Sequence, residues 1–147
     1  MDLNDFFRYL QQMQQQTKHN SPTITFTIIK NNPEDRCFKD GMCNAYTQGM
    51  NKFGQLDLQI VLDIPDEEKK NIINWIGYEI VNNTIIVQNN VEVYKTVNGP
   101  YIRLNLVRNE KNEQLWRIVL PDPYGKMPEE SNIEPYCLQM QSPFLYQ

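Results

Sequence analysis

A chain of 147 residues is enough for one ordinary domain, which at this size buries roughly 68–70% of its unfolded surface; with 40% hydrophobic and 22% charged residues it belongs among globular rather than disordered sequences. Eighteen acidic residues against fourteen basic ones leave a net charge of −4, and Lys69-Lys70 is the only adjacent basic pair, so neither nucleic acid nor an anionic membrane is the expected partner. The apolar runs are a few residues long against the ~20 that a membrane helix needs. The acidic start Met1-Asp2-Leu3-Asn4-Asp5 lacks the basic and apolar regions of a secretory signal, and an odd set of three cysteines without such a signal fits a reducing cytoplasm.

Residues 2–18 place Leu3, Phe6, Phe7, Leu10 and Met13 at the spacing of an amphipathic helix with one buried stripe, its end solvated by a Gln-rich run. Ser21-Pro22 breaks it. Thr23 to Ile29 then alternates hydroxyl and apolar side chains as a half-buried strand does. A polar surface loop is expected over 31–43, followed by a short segment at 44–50 and a turn at Asn51–Gly54. Leu58, Ile60, Leu62 and Ile64 alternate within a strand over 56–64 whose other face carries Asp57, Gln59 and Asp63.

Pro65 suits the first turn of a helix, and Asp66, Glu67 and Glu68 suit its positive end. The helix is predicted over 65–82, with Ile72, Ile73, Ile76 and Ile80 inward and Gly77 marking a close approach to a sheet. Four β-like stretches follow at 84–88, 91–97, 101–108 and 114–120, the middle pair joined by the turn dipeptide Asn98-Gly99. Antiparallel pairing is the expectation for them. Five prolines from Pro121 onward make the tail irregular, while Tyr124, Met127, Tyr136, Leu138, Phe144 and Leu145 give it anchors to wrap the domain. The pattern reads as a single α+β domain over 1–147, a mostly antiparallel sheet packed by the N-terminal and central helices.

Cys37, Cys43, Cys137 and His19 are the only soft metal ligands in the chain, and no pair has the close spacing of a zinc site, so neither metal nor cofactor is expected. A Cys–His catalytic pair would need His19, at a helix end, to reach one of the cysteines in space. Asp57 and Asp63 lie about 20 Å apart along one strand, too far to act as an acid–base pair. Asp122, held between two prolines, is either a rigidly presented carboxylate or the acceptor for turn amides up to Gly125, the commoner role for Asp. No phosphate loop, nucleophile elbow, paired-His helix or calcium loop is present. The tyrosines and phenylalanines of the last third, Tyr124, Tyr136 and Phe144 in particular, suit an interface.

Two motifs stand apart from generic core patterning: Ala45-Tyr46-Thr47-Gln48-Gly49-Met50 with Phe53-Gly54, and Pro121-Asp122-x-x-Gly125-x-x-Pro128 with Gln141 and Pro143 near the end. In order and spacing over residues 23–145 they resemble the bacterial domain of unknown function numbered four-two-six-two. The helix over 1–20 is an addition to that pattern. The chain departs from it in having Gln55-Leu56-Asp57 where the family shows His-Pro-Glu, and Glu129 in place of an aromatic. The resemblance implies an α+β fold and a bacterial or phage origin, and no reaction.

The expected function is therefore capture of another protein, as an immunity, inhibitor or effector-like module. The alternative is a small hydrolase or transferase in which Asp122 works with Tyr46 and Thr47, if the 44–50 segment lies beside the end of the 114–120 strand.

Overall fold

The computed structural model describes residues 5–9, 12, 24–31, 38–97, 99–109 and 111–141. Its centre is a six-stranded sheet with the order β1-β2-β3-β6-β5-β4. The first meander is β1 (Thr25–Ile29), β2 (Met42–Gln48) and β3 (Leu58–Leu62). The helix α1 (Asp66–Val81) then carries the chain to the far edge, where β4 (Val91–Val93), β5 (Ile102–Arg108) and β6 (Gln114–Val119) return as a second meander. Neighbours within each meander are antiparallel, whereas β3 and β6 meet in parallel. The sheet is thus mostly antiparallel, as expected, and its parallel pair lies at the centre, where a helical crossover supplies the length that parallel neighbours require.

α1 starts behind Pro65 with Asp66, Glu67 and Glu68 in its first turn, and buries Ile72, Ile73, Trp75, Ile76 and Ile80. Gly77 is where it comes closest to its neighbours: a Cβ there would lie 2.6 Å from Ile24 Cδ1 and 3.4 Å from Leu58 Cδ1. Leu58, Ile60 and Leu62 face this helix and form one core with Phe6, Ala45, Ile102, Leu104 and Ile118. Residues 5–9 and 12 are helical; the rest of the expected 2–18 helix lies outside the described residues.

β3 is buried on both faces, Gln59 and Val61 included, so the polar face that carries Gln59 is covered rather than open to water. Central position removes both faces from water, and the period-two pattern then reports only which side each residue points to. Thr84 to Gln88 form no strand. Asn83 turns back at φ 58°, and Thr84 caps the helix through its amide and hydroxyl on the Glu79 carbonyl, both at 2.9 Å. Ile85 and Val87 still pack on the core while Ile86 is exposed; alternation here needs no strand partner. β4 stops at Val93, before Tyr94 at φ 53°. The expected 31–43 loop is also shorter, because β2 begins at Met42 and Phe38 is buried.

Beyond β6, residues 121–141 have no regular structure apart from the single 3-10 turn Tyr136–Leu138. This stretch is bonded to the sheet. Gln139 Nε2 donates to the Leu120 carbonyl at 2.7 Å and its Oε1 accepts from the Leu120 amide at 2.8 Å, a closed pair that mimics one more strand partner. Residues 142–147 lie outside the described residues.

Candidate functional site

In a ladder, directly paired residues share a face. Thr27 pairs with Tyr46, Tyr46 with Gln59, Gln59 with Arg117 and Arg117 with Asn105. These five residues form one continuous row across the face opposite α1, in a sheet whose helix-facing side is apolar. The row is tied together by hydrogen bonds. Gln59 Nε2 donates to Asn44 Oδ1 at 2.9 Å, Arg117 Nε donates to Gln59 Oε1 at 2.9 Å, and Arg117 also donates to the Gln139 carbonyl at 2.8 Å. Asn105 Nδ2 donates to Asn90 Oδ1 at 3.1 Å and Asn105 Oδ1 accepts from Arg103 Nε at 2.6 Å, and Arg103 makes a two-pronged pair with the Glu129 carboxylate at 2.6 and 2.9 Å.

The returning segment therefore covers this face at Arg103, through Glu129, and at Arg117, through the Gln139 carbonyl, and the side toward Tyr46 opens outward. There a cavity of about 470 Å³ is lined by Asn44, Tyr46, Gln59 and Arg117, with Arg108 and Lys111 from the β5–β6 hairpin on the same lining. Arg117 is 3% exposed, and burial pushes its guanidinium down to about 10, which leaves it cationic at neutral pH. A charged floor held in place by neighbouring amides is ordered before any ligand arrives.

The Ala45–Gly54 motif is the architecture of one wall. Thr47 donates to Asp57 Oδ1 at 2.8 Å and its hydroxyl accepts from the Leu58 amide at 2.9 Å, while Asp57 accepts from the Met50 amide at 3.1 Å. Gly49 at φ 90° and Gly54 at φ 73° bracket the turn Met50–Phe53, positions where an L side chain is strained. Thr47 and Asp57 thus close the β2–β3 hairpin and aim Tyr46, half-buried, into the cavity lining.

Asp122 stands elsewhere. β6 runs away from the cavity toward it, and the five residues from Arg117 to Asp122 span about 17 Å if extended. The structure leaves Asp122 apart from Tyr46 and Thr47, since β3 separates the 44–50 segment from β6 and Tyr46 stands level with Arg117, five residues before Asp122. Asp122 is buried, its Oδ1 accepting from the Tyr124 and Lys126 amides at 2.8 and 2.9 Å and its Oδ2 from the Ser131 hydroxyl at 2.6 Å. Burial opposes its ionisation, yet the Ser131 hydroxyl and the two amides outweigh it and hold the carboxyl below its ordinary range. Tyr124 is 77% exposed on the same turn. Tyr136 is half-buried against the core, where burial, with the Asp122 charge, raises its phenol. Phe144 lies outside the described residues, as do His19 and Cys37.

A second ionic group lies behind β2 and β3. Lys69, with no exposed side-chain surface, places Nζ 2.7 Å from Asp63 and 3.1 Å from Asp66, and Lys30 lies 2.8 Å from Asp66 and 3.5 Å from Asp63. Desolvation works against the Lys69 cation, but hydrogen bonds to Asp63 and Asp66 raise its pKa overall. The adjacent Cys43 thiol is pushed up to about 11 by burial and contacts the Leu62 carbonyl at 3.3 Å. A thiol of that kind is inert, with roughly one in a thousand ionised at pH 8. Iodoacetamide applied to the native protein at pH 8 should label Cys137 and spare Cys43 until denaturant is added, as read by peptide mass spectrometry. Equal labelling rates at the two would contradict the burial argument.

Among the described residues no group of three or more His, Cys, Asp and Glu side chains could hold a metal ion, and no helix is long and apolar enough to cross a membrane. No protein-family model, no curated protein and no solved structure matches the chain. The signal that marks the site was absent from any one segment: Tyr46, Gln59, Arg117 and Asn105 come from four strands, and only their register makes them a row.

Proposed function

We propose that this protein works by capturing a protein partner, and that a side chain of the partner enters the cavity over β2, β3 and β6. The observation that carries this reading is the polar row Tyr46-Gln59-Arg117, in which Gln59 and Arg117 are fixed by hydrogen bonds and which lines an open cavity. Binding sites of this size present a few oriented polar groups in a largely preformed hollow. Reaction chemistry has less support there, because Thr47 and Asp57 are engaged in closing the hairpin and Cys43 is held protonated.

The resemblance to the family numbered four-two-six-two belongs to this proposal. Its two motifs coincide with two built turns, one closed by Thr47 and Asp57 and one by Asp122. A cytoplasmic setting is proposed with it, in keeping with free Cys43 and Cys137.

A photo-crosslinking residue at Gln48, exposed on the cavity lining, is expected to give one discrete adduct in extracts of the native host. The same residue at Ile86, 82% exposed and outside that lining, should give none. Adding Tyr46→Ala to the Gln48 variant should lower the yield about tenfold, the effect of removing an aromatic anchor. Equal adducts at both positions, or a yield indifferent to Tyr46, would overturn the reading.

A further inference from the structure

The charge of the cavity runs against that of the chain. The molecule carries −4, yet the lining holds Arg108, Lys111 and Arg117 against Asp57 and Glu113. The two carboxylates already have work: Asp57 accepts from Thr47 and the Met50 amide, and Glu113 accepts from Asn109 Nδ2 at 3.3 Å. The cations differ in depth. Arg117 lies in the floor, while Arg108 and Lys111 are exposed at the hairpin that overlooks it.

Resting on the capture reading above, we infer that the group entering the cavity is a carboxylate, an Asp or Glu side chain of the partner, drawn in by Arg108 and Lys111 and received beside Arg117, Gln59 and Tyr46. Arg117 is desolvated by its surroundings, the cause of its lowered pKa, and an anion delivered beside it restores the favourable field that water no longer provides. Charge-assisted hydrogen bonds are about twice as strong as neutral ones, and at this depth screening by salt is weak. A singly charged carboxylate fits better than a phosphate dianion, because attraction to a lining with three cations and two carboxylates only doubles with ligand charge while the cost of desolvating the ligand rises about fourfold. Electrostatic steering by the rim also raises the rate of encounter for an acidic partner against the background of an acidic protein.

The test uses the full 15N-labelled chain titrated separately with N-acetyl-glutamate N-methylamide, its glutamine counterpart and inorganic phosphate. The glutamate compound should give saturable shifts clustered on Asn44, Tyr46, Gln59 and Arg117, with about tenfold tighter binding than the glutamine compound. Arg108→Gln with Lys111→Gln, both at exposed positions, should remove most of that preference without changing the melting temperature. Equal binding of the two blocked amino acids, a preference for phosphate, shifts scattered over the surface, or no saturation at all would each overturn the assignment. Glutamate selectivity with no protein adduct at Gln48 would keep the carboxylate site and sink its supply by a protein partner; the adduct without selectivity would keep the capture of a protein and sink the carboxylate.

Discussion

Asp122→Ala is expected to cost about 3 kcal/mol of stability and to leave partner capture intact below the new melting point. Three donors converge on this carboxylate, the amides of Tyr124 and Lys126 and the hydroxyl of Ser131, and each buried donor stripped of its acceptor costs about 1–3 kcal/mol. The Ser131 hydroxyl can turn toward water, which holds the sum near the lower bound. For a chain of this length such a loss lowers the melting temperature by roughly 10 °C. Asp122→Asn keeps an acceptor for the two amides and should cost about 1 kcal/mol.

The same carboxylate sets a pH signature. Its folded pKa lies below its ordinary value, so its contribution is fully present above an unfolded pKa of about 3.9 and is lost as pH falls through the folded value. Glu129, held down by Arg103, adds to the same acid limb. Denaturation profiles of the wild type and Asp122→Ala should therefore converge as pH drops below about 4. A variant that loses capture or turnover at unchanged stability would instead make Asp122 a reacting group.

Gly41→Ala is expected to destabilise by a similar amount, about 3 kcal/mol, for a reason that links the turn before β2 to the segment after β6. Gly41 sits at φ 79°, and a Cβ added there would lie 2.6, 3.1 and 3.3 Å from three ring carbons of Pro135. Left-handed backbone costs an L side chain about 1–2 kcal/mol, and overpacking against a ring that cannot rotate away adds about 1–3 kcal/mol. Gly54 supplies the control. It has φ 73° and nothing within 4 Å of its missing Cβ, so Gly54→Ala should carry the backbone part alone. The difference between the two in urea denaturation measures the contact between the turn before β2 and the segment that follows β6. Equal costs would mean that the Pro135 ring gives way.

Much of the fold is legible where one segment carries its own pattern. Pro65 with three acidic residues marks the start of α1, the Ile72-Ile73-Ile76-Ile80 stripe marks its inner face, and Gly77 marks its close approach. What was illegible depends on neighbours. Ile85 and Val87 alternate like a strand because the core lies on one side of them, although no partner strand does. Gln59 reads as an outward polar residue until the sheet places Arg117 beside it. Arg117 itself sits in Leu115-Trp116-Arg117-Ile118 as any half-exposed strand residue would, and nothing local shows that both faces of β6 are covered. The site is a property of register, which is decided by pairings between residues as far apart as 59 and 117.

Among the described residues β6 is the last strand in chain order, yet it lies at the centre of the sheet. On the ribosome the first meander emerges with one whole side of β3 unpaired, and all five residues Leu58–Leu62 that the native sheet buries have no partner there. The second meander cannot dock until Val119 has been made. Formation of the β3–β6 ladder therefore waits for Trp116 and Arg117, the partners of Leu58 and Gln59, to follow much later in the chain. The exposed ladder of β3 is a template for other chains during that interval, so the nascent protein is most open to aggregation between the emergence of β3 and that of β6. Chaperone contact during synthesis should then concentrate on the first meander, and folding should be slow for a domain this small because its closing step joins distant parts of the chain.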